Sequence, residues 1–316
     1  MNFTTKIPIS NSNNPIDYNS KIVSLGSCFA ENIGEKFDYF KFQNTTNPFG
    51  IIFNPVSLEK LIFRIIHQHY FTEKDVFYHN VCWHSFEVHS DLSHKNKDIF
   101  IENLNQIIKS TNQQINESKH IIITLGTSWV YRNIETNQIV ANCHKVPQKN
   151  FTKELLSVET IQKSIENTIR LIHSINKEVK FIFTVSPVRH IKDGFVENNV
   201  SKSHLLSAIF ATINLQPSTI NYFPSYEILL DELRDYRFYA PDMLHPNQTA
   251  IDYIWERFSL TQVSDKVFSI MEEVDSIQKA LLHRPFNPNS ESHQQFLIKI
   301  QDKITKLVAE YPFVKF

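Results

Sequence analysis

Four short apolar runs, Lys21 to Leu25, His120 to Leu125, Lys180 to Val185 and Ile220 to Ile228, are rich in β-branched and aromatic residues. Each is short enough for a buried strand. Between them, Val56 to His67, Lys97 to Ser110, Glu154 to Asn176 and Lys202 to Ile213 repeat apolar residues at three- and four-residue steps, the period of an amphipathic helix. Strands alternating with helices imply a central, mostly parallel sheet with helices on both faces, because a parallel crossover uses a helix to cover the sheet. Ligands of such sheets sit beyond the carboxyl ends of the strands. The residues that follow the apolar runs are therefore the candidates for chemistry: Gly26-Ser27-Cys28, Gly126-Thr127-Ser128, Ser186 to His190, and the segment after Tyr226.

Two stretches interrupt this alternation. Residues 71–96 carry His79, His84, His89 and His94 with little helical periodicity, and residues 132–152 contain Asn142-Cys143-His144-Lys145. Both read as insertions folded over the active face, since long loops in compact domains are often functional. After about Leu260, two amphipathic helical stretches flank the turn-rich segment from Arg284 to Ser290. The expected organisation is a catalytic domain over residues 1–260 and a C-terminal helical extension over residues 261–316.

A chain of 316 residues with 41% hydrophobic content buries enough surface to fold without disulfides or metals. Thirty-two basic residues against thirty-three acidic ones leave a net charge of -1, so no overall field attracts nucleic acid or an anionic membrane. Cys28, Cys82 and Cys143 are odd in number and lack C-x-x-C spacing, which argues against a disulfide framework or a cysteine-based zinc site. Residues 1–19 are polar and lack the basic start and apolar run of a secretory signal, so a cytoplasmic location is expected. No apolar run reaches bilayer length.

The strongest local signal is the run from Ile22 to Ile33, a strand leading through Gly26-Ser27 into a helix. A serine there sits among unpaired N–H groups and the positive end of the helix dipole, which can stabilise an oxyanion formed when Ser27 attacks a carbonyl. Most serines in this position are only helix caps. The second signal is Ala240-Pro241-Asp242-Met243-Leu244-His245-Pro246, late in the α/β region. Asp242 can fix the tautomer of His245, which can take a proton from a hydroxyl nucleophile and return it to the leaving group. Alone, such a pair is also what a turn before a helix looks like.

Together, strand-Gly-Ser near the N-terminus and Asp-x-x-His-Pro before a late helix resemble the SGNH/GDSL hydrolases, and Gly26-Ser27-Cys28-Phe29-Ala30 matches the signature of the GSCFA family within that class. The resemblance implies a flavodoxin-like three-layer sandwich over roughly the first 260 residues and a triad of Ser27, Asp242 and His245. It also implies oxyanion donors at the N–H groups of Ser27 and Gly50. The asparagine that such enzymes place after the third sheet strand is missing, because Gly126-Thr127-Ser128-Trp129 stands there. Thr127 and Asn142, ranked above Ser128, are the available polar replacements.

The implied reaction is hydrolysis of an ester, a small acyl group on a carbohydrate or another polar alcohol, through an acyl-enzyme and without a cofactor. An acyltransferase using the same triad and a non-catalytic carbohydrate- or partner-binding protein are the alternatives. His84 and Arg189 are candidates for lining the substrate cleft. No metal is expected at His67, His69 or the later histidines, because no H-E-x-x-H-like spacing accompanies them. Cys28, next to the expected nucleophile, reads as a small apolar filler beneath the first helix.

Overall fold

The computed structural model describes residues 4–316. Five strands make its central sheet: β1 (Lys21–Gly26), β2 (Gln43–Thr46), β5 (His120–Leu125), β9 (Lys180–Val185) and β10 (Ile220–Tyr222). All pair in parallel, in the order β10-β9-β5-β1-β2, with Val23 beside Thr45 and Ile121, and Ile121 beside Phe181. Counting only these strands, the order is the flavodoxin-like one, and it reverses direction between β1 and β5.

Side-chain alternation divides the core. Val23, Leu25, Ile121, Ile123, Phe181 and Phe183 face α2 (Pro55–Ile66), α3 (Lys97–Glu117), α4 (Val158–His173) and α5 (Phe195–Leu215). Ile22, Ile122 and Ile182 face α1 (Cys28–Tyr39) and α7 (Gln248–Gln262). Asn54, Asn96, Ser157 and Asn247 cap the helices that follow them, each accepting an N–H of the first turn.

The fourth apolar run is shorter as a strand than its sequence suggests. It ends at Tyr222, because Pro224 interrupts it and the chain turns into α6 (Ser225–Glu227) and a π-helical turn, Ile228–Leu233. The expected helix from Glu154 likewise starts only at Val158, after its Ser157 cap, and the preceding residues belong to a strand. The two interruptions are small antiparallel units. One is the hairpin of β3 (Phe77–His79) and β4 (Cys82–His84); the other is a sheet of β6 (Trp129–Asn133), β7 (Ile139–Val140) and β8 (Phe151–Leu155).

The C-terminal helices α8 (Phe268–Leu281) and α9 (Glu291–Glu310) share a small core of Val274, Ile277, Ile300, Leu307 and Val314. They are also joined to the sandwich. Met271 packs into the α1/α7 core, Tyr39 donates to Asp275 at 2.8 Å, and Tyr311 lies 5.2 Å from Tyr18 between ring centroids. Among the described residues no helix is long and apolar enough to cross a membrane.

Gly26 closes β1 at φ +133, where a Cβ would lie 2.1 Å from the Thr124 carbonyl oxygen. Its N–H donates to Asn47 Oδ1 at 2.8 Å and its carbonyl accepts from Ile52 at 3.0 Å. Gly26→Ala should therefore cost at least about 1–3 kcal/mol of stability, since it combines backbone strain with a clash against backbone atoms. Denaturant unfolding of the variant and the wild type checks this, and equal midpoints would contradict the packing described.

Candidate active site

The turn from β1 into α1 lies at the reversal of strand order, where the carboxyl ends of β1 and β5 part. Ser27 is the N-cap of α1, with φ -75 and ψ 173, and its Oγ accepts the Phe29 N–H at 3.2 Å. Its own N–H donates to Thr124 O at 3.0 Å, and the residue is 1% exposed. Cys28 is the first residue of α1 and is only partly buried, so it is not the filler beneath the helix that its sequence context suggested. Burial and then Glu31 push its thiol pKa up, while the N–H groups of Phe29 and Cys28 and the ammonium of Lys202 act in the opposite sense.

Asp242 and His245 share a tightly bonded loop. Ala240 N–H donates to His245 O at 2.7 Å, and Met243 adopts a left-handed φ of 60. The bend lets Asp242 Oδ1 accept the N–H groups of Leu244 at 2.9 Å and His245 at 3.0 Å while Oδ2 meets His245 Nδ1 at 2.6 Å. The His245 and Leu244 N–H groups, with the imidazole, hold the Asp242 carboxyl down to about 2. Asp242 is thus a carboxylate, Nδ1 carries the proton, and the lone pair of Nε2 is left for a substrate or nucleophile. Both side chains are about half exposed, and no hydrogen bond joins His245 to Ser27. Arg189, from the end of β9, ties this loop to the sheet edge through its N–H to Leu244 O at 3.1 Å and its Nη1 to Met243 O at 3.2 Å.

Lys202 was not singled out by its sequence. It lies on α5, 1% exposed, and its ammonium donates to Gly126 O and Ser186 O, both at 2.7 Å. Those carbonyls follow β5 and β9. On the same face of α5, Ser201 bonds Thr127 Oγ1 at 2.8 Å and receives the Ser128 N–H at 2.8 Å, and Asn198 Oδ1 accepts the His190 N–H at 2.8 Å. Desolvation lowers the Lys202 pKa to about 7, with Cys28 opposing, and burial, Lys202 and His245 lower His190 to about 3. Lys202 is thus an electrostatic neighbour of Cys28 and of His190, and His190 of His245. The signal for Lys202 was periodicity: positions 198, 201, 202, 205, 208, 209 and 212 form the buried stripe of α5.

The GSCFA family model matches residues 21–258, which include the β1–α1 turn and the Asp242–His245 loop. The chain belongs to the GSCFA family. A second model, the C-terminal domain of GSCFA domain proteins, matches residues 274–316. No match was found among the curated proteins searched.

In this GSCFA chain the remaining expected site residues are committed to other contacts. The Gly50 N–H donates to Asn47 O at 2.7 Å, within a turn whose glycine has φ +73. Thr127 Oγ1 bonds Ser201 and accepts the Trp129 N–H at 3.0 Å, while Asn142 Oδ1 accepts the His144 N–H at 2.8 Å in the second insertion. His84 has both ring nitrogens engaged, with Ser93 Oγ at 2.6 Å and His79 O at 2.9 Å, so it braces the β3–β4 hairpin. Arg189 keeps an accessible role, since it borders a cavity of about 250 Å³ with Asn198, Tyr226, Tyr236 and Tyr239. The N–H groups of Cys28 and Thr127 have no oxygen partner among the described residues.

Unfolded, Lys202 binds its proton near pH 10.5, and folded near 7. Over that window the unfolded chain holds more protons, so wild-type stability rises with pH. Lys202→Met removes this contribution. The difference in denaturant midpoint between wild type and Lys202→Met should therefore move in favour of wild type between about pH 7 and pH 9. A difference that is constant over this range would contradict the lowered affinity.

Proposed function

We propose that this protein cleaves an ester of a small acyl group with a carbohydrate or another polar alcohol, through an acyl-enzyme formed at the β1–α1 turn of an SGNH/GDSL-type scaffold. The observation that carries the proposal is the Asp242–His245 pair, with Nδ1 held at 2.6 Å by a carboxylate and Nε2 without a partner among the described residues. A tautomer fixed in this way is what a general base for a weak nucleophile needs. The loop is bonded through Arg189 to the sheet edge on which the β1–α1 turn also lies.

In the proposed cycle, His245 Nε2 takes the proton of the nucleophile as its heteroatom bonds to the ester carbonyl. The imidazolium, stabilised by Asp242, returns the proton to the departing alcohol. Water then attacks the acyl-enzyme with His245 again as base. The N–H groups of Cys28 and Thr127 are the available donors for the oxyanion, in place of the amide that Gly126-Thr127-Ser128-Trp129 lacks. The cavity beside the His245 loop offers three tyrosines, an asparagine amide and the Arg189 guanidinium, a mixture of aromatic and polar groups suited to a sugar-like alcohol.

His245→Ala should lower kcat/KM for a short-chain activated ester by roughly 10³-fold or more, and Asp242→Asn by a comparable factor. Neither should lower the melting temperature much, because both side chains are about half exposed. Turnover of acetyl esters with and without a saccharide acceptor, read as free acid against transferred acyl product, separates hydrolase from acyltransferase. Wild-type protein inert toward all such esters, or His245→Ala fully active, would refute the proposal.

A further inference from the structure

We infer that Cys28, rather than Ser27, is the residue that forms the covalent bond to the acyl group, and that Ser27 is a positioning residue that caps the helix carrying it. The inference rests on the acyl-transfer reading above and specifies its nucleophile.

The two side chains occupy different environments although they are adjacent in sequence. Ser27 is 1% exposed, and its hydroxyl is occupied as acceptor for the Phe29 N–H at 3.2 Å. Its backbone N–H, the expected oxyanion donor, is held by Thr124 O at 3.0 Å. A Ser27 nucleophile would have to abandon its cap and emerge from a buried position. Cys28 needs no such rearrangement. It is the first helical residue, where Cα–Cβ bonds tilt toward the helix N-terminus and so toward the carboxyl edge of the sheet, and it is partly exposed there. Its backbone N–H has no oxygen partner among the described residues and can serve the oxyanion of its own adduct.

The surroundings of Cys28 add a second, independent feature. The buried ammonium of Lys202, fixed by Gly126 O and Ser186 O at 2.7 Å each, lies close enough to interact with the thiol, as do the N–H groups opening α1. The helix N-terminus, and Lys202 when it carries its proton, favour a thiolate as it forms. Burial and Glu31 oppose it at rest, so the thiol is protonated until a base removes the proton. His245 is the base the inference assigns, and His190, which follows Arg189 beyond β9, senses both Lys202 and His245.

The chemistry balances without a redox step. The Cys28 S–H proton passes to His245 Nε2 as the S–C bond forms, and the ester C–O bond breaks as the alcohol leaves with that proton. Water then gives its proton to His245 while its oxygen bonds the thioester carbonyl. The C–S bond breaks, and the thiol is restored.

The test uses the full chain and four variants: Ser27→Ala, Ser27→Gly, Cys28→Ala and Cys28→Ser. With para-nitrophenyl acetate, Cys28→Ala should lose roughly 10²–10⁴ of the turnover, with Cys28→Ser retaining a small fraction. Ser27→Gly, a substitution that helix starts tolerate well, should stay within about tenfold of wild type. Acid-quenched protein should carry an acetyl group on the peptide containing Cys28, labile to hydroxylamine as a thioester is. A folded Ser27→Gly that is inactive beside an active Cys28→Ala, or an acetyl group on Ser27, would overturn the inference and leave the acyl-transfer reading standing. Iodoacetamide labelling reads the thiol without any substrate. His245→Ala should slow alkylation of Cys28 and leave Cys82 and Cys143 unchanged; an unchanged rate at Cys28 would count against the inference even if no ester were turned over.

Discussion

Lys202 Nζ donates 2.7 Å hydrogen bonds to Gly126 O and Ser186 O, and these carbonyls directly follow the adjacent strands β5 and β9. An ammonium inside a protein is costly unless its donors are satisfied, and two strand-end carbonyls without partners would be costly as well. The contact answers both needs at once and fixes the spacing between the β5 and β9 ends. Its neighbours on α5 extend the arrangement: Ser201 binds the Thr127-Ser128 turn and Asn198 binds the His190 backbone. One helix face thereby ties together the segments that follow β5 and β9.

The other parts of the candidate site are tied to the same strand ends. Arg189 leaves the same strand end as His190 and holds the Met243 and Leu244 carbonyls, so the Asp242–His245 loop inherits its position from β9. The β1–α1 turn is fixed from the opposite side, by the Thr124 carbonyl, by Asn47 and by the bend at Gly26. Two separately anchored units, one carrying the Asp242–His245 pair and the other a helix N-terminus, thus share a single edge. This placement is what a covalent acyl-transfer mechanism asks of a scaffold, since the barrier falls chiefly through orientation and through donors already aimed at the developing charge.

Much of this was legible in the sequence, and the reasons are physical. The buried strands β1, β5 and β9 are continuous apolar runs bounded by turn residues, so their periodicity is unmistakable. The Asp242–His245 pair could be read because its geometry is local, confined to one loop of the chain. β2, Gln43-Asn44-Thr45-Thr46, gave no signal, because a half-buried edge strand can be wholly polar. Lys202 escaped notice because its role comes from long-range contacts with Gly126 and Ser186, although its place on the apolar stripe of α5 marked it. Ser27 and Cys28 could not be ranked by spacing alone. Which of two adjacent side chains caps the helix is set by the backbone conformation of the turn, which the residue types alone do not fix.

The central claim is that acyl chemistry takes place where the β1–α1 turn and the His245 loop meet. The most direct test is a crystal structure of the protein treated with a short-chain trifluoromethyl ketone, which forms a stable tetrahedral adduct with an active nucleophile. The account predicts a bond from Cys28 Sγ to the ketone carbon, with the adduct oxygen about 2.7–3.1 Å from the N–H groups of Cys28 and Thr127 and the His245 ring within hydrogen-bond reach of the adduct. An adduct on any other residue, or His245 turned away from the turn in the adduct, would contradict it.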